Sequence, residues 1–96
     1  MRVYIIRSSD KEENYIDRTI QTEQKLIEEG HHVMNPLPDQ NQHVGNEALK
    51  RIYGNLIPYC DMVFAMDGWD KTIKNTGDWE MAEAMKNRKT IVFEQV

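Results

Sequence analysis

Cysteine, long apolar runs and an excess of basic residues are scarce or missing in this chain of 96 residues. Its single cysteine, Cys60, excludes an intrachain disulfide and a zinc cluster built from cysteines. The 12 lysines and arginines are outnumbered by 16 aspartates and glutamates, which gives a formal net charge of -4. No clustered basic face is therefore expected, and we predict neither duplex nucleic acid nor a membrane as a partner.

The apolar run near the N-terminus, Val3 to Ile6, is short and is broken by Arg7. Such a run is too short for the hydrophobic core of a signal peptide and for a transmembrane helix. Together with the lone cysteine, it leads us to expect a cytoplasmic protein. The length predicts one domain over residues 1–96, with a core small enough for oligomerisation to help.

Compact apolar runs alternate with segments of helical periodicity. The predicted strands are Val3–Ile6, His31–Met34, Met62–Met66 and Thr90–Phe93, and the predicted helices are Asn14–Glu29, Asn46–Ile57 and about Thr76–Asn87. In the first helix Gly30 provides the stop, and the apolar stripe consists of Ile16, Ile20, the stem of Glu23, Leu26 and Ile27. Strands that alternate with helices favour right-handed crossovers and a parallel sheet. We predict an α/β, three-layer Rossmann- or flavodoxin-like sandwich with a four-stranded parallel sheet in the order 2-1-3-4.

This strand order reverses the direction of winding between the first and third strands. Ligands bind beside the carboxyl ends of the strands at such a point. Residues 7–10 and 67–77 would line the crevice. Glu80, expected in the first turn of the third helix, is then placed where chemistry can occur. The alternative is that Glu80 only stabilises the helix dipole.

Several short motifs follow one another along nearly the whole chain. They are Val3-Tyr4-Ile5, Gly30-His31-His32-Val33, Asn35-Pro36, Cys60-Asp61, Gly68-Trp69, Gly77 and Glu80. Their order and spacing resemble the nucleoside 2-deoxyribosyltransferase-like superfamily, most closely its small branch found in phage and bacterial genomes. The resemblance implies a nucleoside or nucleotide ligand, cleavage or transfer at an N-glycosidic bond, and a homo-oligomer.

The same resemblance assigns roles to three residues. It implies that Glu80 is the nucleophile, that Tyr4 holds this glutamate, and that Asp61 contacts the base. The chain departs from the pattern where Arg7 and Ser8 replace Ser-Gly, and where the link from Trp69 to Glu80 differs in length. The altered loop from Thr72 to Asp78 favours a second possibility, a binding module for a nucleotide or an ADP-ribose-like ligand without turnover.

Further candidate substrate-binding residues are Arg7, Ser8, Ser9, Asp67, Gly68, Trp69, Asn75 and Gly77. Arg7 and the two serines can bind a 5'-phosphate through a guanidinium, hydroxyls and backbone N–H groups. The alternative is a polar turn in which Ser9 or Asp10 caps the next helix.

The leaving base needs a proton donor, for which Asp67 or Asp61 is the candidate. Trp69 can stack on a base or cover the sheet edge. We expect no cofactor and no metal, because the three histidines lack a ligand pattern and no dinucleotide-binding turn is present.

Overall fold

Strands and helices alternate along the chain in the computed structural model, which describes residues 1–9, 11–34, 46–72 and 76–95. The elements are β1 (Arg2–Ile6), α1 (Tyr15–Glu28), β2 (His32–Met34), α2 (Asn46–Leu56), a 3₁₀ turn (Ile57–Tyr59), β3 (Met62–Ala65), α3 (Thr76–Lys86) and β4 (Thr90–Phe93). Each predicted element is present, with ends that differ by one residue or less.

The four strands form one sheet in the order β2-β1-β3-β4, and every neighbouring pair is parallel. The predicted α/β class and strand order are confirmed. β1 lies at the centre, where Val3 pairs with Val33 on one side and with Met62 on the other. Its continuous apolar run follows from this position, because a central parallel strand is covered on both faces.

Alternate residues of β1 face two separate apolar layers. Tyr4 and Ile6 belong to the cluster that packs against α2 and α3. Val3 and Ile5 belong to a second cluster with Leu26 of α1. The sheet is thus the middle of three layers. Among the described residues, α2 and α3 cover one face of the sheet, and α1 alone covers the other.

The buried face of α1 differs from the predicted stripe. Thr19, Thr22 and Leu26 are buried, whereas Ile20 and Ile27 are 39% and 45% exposed. The prediction was therefore wrong for these two isoleucines.

The reason is local hydrogen bonding, which lets a threonine face the sheet. The hydroxyl of Thr19 donates to the carbonyl oxygen of Tyr15 at 2.7 Å, so its polar atom is satisfied within the helix. The predicted stop is confirmed, since Gly30 follows the helix with φ +94°.

The start of α3 also corrects one expectation. The helix begins at Thr76, so its first-turn carboxylate is Asp78 and Glu80 lies in the second turn. Glu80 was expected in the first turn, where a carboxylate stabilises the helix dipole. That explanation applies to Asp78 instead. Glu80 is 1% exposed, and its position needs another cause.

Within the described ranges, every helix is too short or too polar to cross a bilayer.

Candidate active site

The centre of the candidate site is a contact between a strand and a helix. Tyr4 extends from the middle of β1 towards the layer of α2 and α3, and its hydroxyl donates a hydrogen bond to Glu80 Oε2. Both residues are almost completely buried. The expected contact between the tyrosine of the first strand and the glutamate of the third helix is therefore present.

A close backbone approach places α3 for this contact. A Cβ atom on Gly77 would lie 1.7 Å from the carbonyl oxygen of Trp69, so only glycine fits at this point. The N–H of Gly77 donates to Thr72 Oγ1 at 3.3 Å, which satisfies one of the free N–H groups at the helix start. Glu80 follows Gly77 by about one helical turn and therefore faces the sheet.

Burial sets the charge state of this pair. Desolvation raises the pKa of Glu80 to about 7, although the positive charge of Arg7 and the hydrogen bond from Tyr4 act in the opposite direction. Burial and the charge of Glu80 hold the pKa of Tyr4 well above its usual range. Tyr4 is consequently a permanent donor, whereas Glu80 exchanges its proton near neutral pH.

Arg7 lies immediately after β1 and is 4% exposed. Its Cζ atom is 6.0 Å from the centre of the Tyr53 ring on α2. Its Nε and Nη1 atoms are buried without a hydrogen-bond acceptor, and the neighbouring Ser8 Oγ is also buried without a partner. Three polar atoms at the carboxyl end of the central strand are thus unsatisfied by the described residues.

The loops after β1 and β3 touch at this edge of the sheet, as predicted. Ser9 Oγ donates to the carbonyl oxygen of Lys71 at 2.7 Å and accepts the N–H of Lys11 at 3.2 Å. Gly68 adopts φ +85°, and a Cβ there would lie 3.2 Å from the Ser9 nitrogen. Ser9 therefore joins the two loops, and it is not the cap of α1, because the N-cap is Asn14. Asp10 lies outside the described residues.

A cleft of about 370 Å³ opens at the carboxyl ends of β3 and β4. Its lining includes Asp67, Gly68, Trp69, Phe93 and Glu94. The rings of Trp69 and Phe93 are tilted by 47° with centroids 6.4 Å apart. Trp69 also packs against the apolar cluster beneath the helices, so it both covers the sheet and borders a cleft.

Asp61 lies at the opposite edge of the sheet from these loops. Its Oδ2 accepts the backbone N–H of Arg2 at 2.8 Å, next to the start of β1. That hydrogen bond lowers the pKa of its carboxyl group. The structure brings Tyr4, Glu80 and Arg7 together but leaves Asp61 at the amino edge. Asn75 lies outside the described residues.

Two further residues complete the site, of which Tyr53 was not a candidate from the sequence and Thr72 was considered only as the alternative to Asn75 in the loop before α3. Tyr53 was assigned only to the apolar stripe of α2, yet its ring lies beneath Arg7. Thr72 holds the first turn of α3. The periodicity of α2 places Tyr53 on the sheet side, but nothing in that pattern indicates a neighbouring guanidinium.

Among the described residues, no group of three or more histidine, cysteine, aspartate or glutamate side chains is arranged to hold a metal ion. Comparison with known proteins gives no match to a family model, to a curated protein or to a solved structure. A functional proposal for this protein therefore rests on its fold and on the geometry of these side chains.

Proposed function

We propose that this protein binds a nucleoside or a nucleoside monophosphate and cleaves or transfers at its N-glycosidic bond, with Glu80 as the nucleophile. The observation that carries this proposal is the hydrogen bond from Tyr4 to Glu80 inside a parallel α/β domain. A carboxylate and a phenol from distant parts of the chain are buried together, close to the edge where such sheets bind ligands.

The reaction divides into two displacements. The Glu80 carboxylate attacks C1' of the sugar as the C1'–N bond breaks, and the electron pair of that bond leaves with the base. A glycosyl ester on Glu80 results. Water, or an N–H nitrogen of a second base, then attacks C1' and releases the carboxylate, while its proton returns to the group that protonated the first base, so that the product is a free sugar or a new nucleoside. The transition states resemble an oxocarbenium ion, which a nearby carboxylate stabilises.

Tyr4 acts as a positioning residue in this scheme. Its hydroxyl donates to one carboxylate oxygen of Glu80 and leaves the other for C1'. Because the pKa of Tyr4 is raised well above its usual range, it remains a donor throughout the reaction. The hydrogen bond favours the ionised, nucleophilic form of Glu80.

The leaving base takes a proton as the bond breaks. Asp67 follows β3 at the carboxyl edge and borders the cleft that contains Trp69. We assign the proton donor to Asp67 rather than Asp61, because Asp61 is hydrogen-bonded to Arg2 at the other edge. Trp69 offers a ring face on which the base can stack.

The test is the release of free base from deoxynucleosides and from their 5'-monophosphates. We expect Glu80→Gln to abolish release, while the control Glu83→Gln, on the same helix and outside the buried pair, keeps it. Release that persists at the original rate in Glu80→Gln would rule out this mechanism.

A second candidate is a module that binds a nucleotide or an ADP-ribose-like ligand without turnover. The observation that favours it is the burial of Glu80, which exposes only 1% of its surface, whereas a nucleophile must reach its substrate. Stabilisation by these ligands in a thermal-shift assay, without any product, supports the binding module. Measurable turnover excludes it.

A further inference from the structure

The unsatisfied polar atoms next to β1 point to the chemical class of the ligand. Burial of a guanidinium without an acceptor costs several kcal/mol in general, and native proteins rarely leave such groups unpaired. Arg7 Nε, Arg7 Nη1 and Ser8 Oγ are all buried without a partner. All three belong to consecutive residues at the carboxyl end of the central strand, where parallel sheets bind ligands.

Glu80 does not satisfy Arg7. The influence of Arg7 on the Glu80 carboxyl is electrostatic, without a hydrogen bond between the two side chains. The hydrogen bond that Glu80 accepts comes from Tyr4. The guanidinium therefore retains both its charge and its free N–H groups for another anion.

From this geometry we infer that Arg7 and Ser8 form a subsite for the phosphate group of the ligand, so that the substrate is a nucleoside monophosphate rather than a neutral nucleoside. The inference rests on the proposed function for the rest of the ligand. The phosphate group itself is inferred from the unpaired atoms of Arg7 and Ser8, because a neutral nucleoside would leave the guanidinium without an anionic partner.

A phosphate suits these donors for two reasons. It carries a charge close to -2 near neutral pH, which balances a buried guanidinium more fully than a hydroxyl group can. It also offers several acceptor oxygens, which can receive N–H groups of Arg7 and the hydroxyl of Ser8 together. Ser9 is outside this subsite, because its hydroxyl already joins Lys71 and Lys11.

The experiment measures binding without turnover. Calorimetric titration of Glu80→Gln with a deoxynucleoside 5'-monophosphate and with the matching deoxynucleoside compares the two dissociation constants. We expect the monophosphate to bind roughly 10- to 100-fold more tightly, the range given by hydrogen bonds to a charged group. Inorganic phosphate is expected to compete with the monophosphate and to leave the nucleoside unaffected.

Further substitutions in the Glu80→Gln protein test which residues cause the preference for the monophosphate over the nucleoside. Arg7→Met is expected to remove the preference by weakening the monophosphate roughly 10- to 100-fold, with the nucleoside changed less than about 3-fold. Ser8→Ala is expected to remove part of it. Arg51→Met, at an exposed arginine of α2, is the matched control and should change neither constant.

Equal affinity for the two ligands, or equal weakening of both by Arg7→Met, would overturn the phosphate subsite. Arg7 would then serve only as a counter-charge for Glu80. If Arg7→Met does not fold, the comparison of the two ligands and Ser8→Ala still decide the matter. Failure of the proposed function is distinct, because it appears as an absence of base release from both ligands whether or not the monophosphate binds more tightly.

Discussion

The hydroxyl of Tyr4 donates to the carboxylate of Glu80 across 76 positions of sequence, and both groups are withdrawn from water. Neither group is needed to complete a helix or a strand. Polar groups of this kind are costly to bury, and they are found where their reactivity or specificity is used. The pair thus links the central strand to α3 and gives the domain a carboxyl group that titrates near neutral pH.

The pH dependence of stability is the first prediction. The pKa of Glu80 is raised from 4.5 to about 7 on folding. The folded state therefore holds this proton more tightly, so the stability that Glu80 contributes is largest below about pH 4.5 and is lost as the pH rises to about 7. Between pH 5 and pH 8 the loss attributable to Glu80 is about 2 kcal/mol.

Urea unfolding at these two pH values checks this expectation. Glu80→Gln cannot ionise and should lose the decline, whereas Glu83→Gln should keep it. The same decline in Glu80→Gln and the parent protein would contradict the assignment to Glu80.

Removal of the phenolic hydroxyl is the second prediction. Tyr4→Phe deletes a hydrogen bond that lowers the pKa of Glu80, so the pKa should rise above 7. If ionised Glu80 is the nucleophile, base release should increase with pH through about 7 in the parent protein. In Tyr4→Phe this increase should move to higher pH.

The matched control is Tyr59→Phe, because Tyr59 is 64% exposed and should leave the profile unchanged. A profile for Tyr4→Phe that is lowered uniformly, without a shift along the pH axis, would count against a positioning role.

The third prediction concerns the backbone contact beneath α3. Gly77→Ala would place a methyl group 1.7 Å from the Trp69 carbonyl oxygen, a backbone atom that can move only with its loop. We expect a loss of at least about 3 kcal/mol in unfolding free energy, or failure to fold.

Gly54→Ala is the comparison for that change. Its new methyl group would lie 3.1 Å from a side-chain atom of Trp79, and alanine favours the helix at this position by up to about 1 kcal/mol. Chemical denaturation should therefore show a much smaller change. Similar stabilities of the two variants would disprove the close approach at Gly77.

The fourth prediction is self-association. One helix covers one face of the described four-stranded sheet, and β4 at its edge leaves Val92 and Phe93 38% and 50% exposed. Such an edge favours pairing with another copy of the chain. We expect a dimer or larger species in sedimentation at micromolar concentration. A monomer under these conditions would be evidence against it.

The fold was predictable because its signals are local. Local patterns predict the individual elements: the apolar run predicts β1, the helical spacing predicts α1 and α2, and the glycine marks the end of α1. The regular alternation of strands and helices then limits the topology through the handedness of crossovers. The order 2-1-3-4 is one of the few that these rules allow, and the structure confirms it.

The site was predictable only in part. A resemblance in motif order indicated Tyr4 and Glu80, and the structure brings them into contact. Packing of Arg7 on Tyr53 depends on the angle between α2 and the sheet, which no local pattern specifies. The buried face of α1 was missed in part for a local reason. The hydroxyl of Thr19 donates to the carbonyl oxygen of Tyr15, so a threonine can be buried where an isoleucine was expected.

The central position of β1 also bears on how the chain is made. Its partner β3 is some 60 residues further along, so a ribosome has produced well over half of the described chain before the middle of the sheet can close. Until then the strand has only β2 beside it and an open hydrogen-bonding edge. A fragment that ends before Met62 is expected to bind a hydrophobic dye and to aggregate, whereas the chain through β3 should do neither to the same extent.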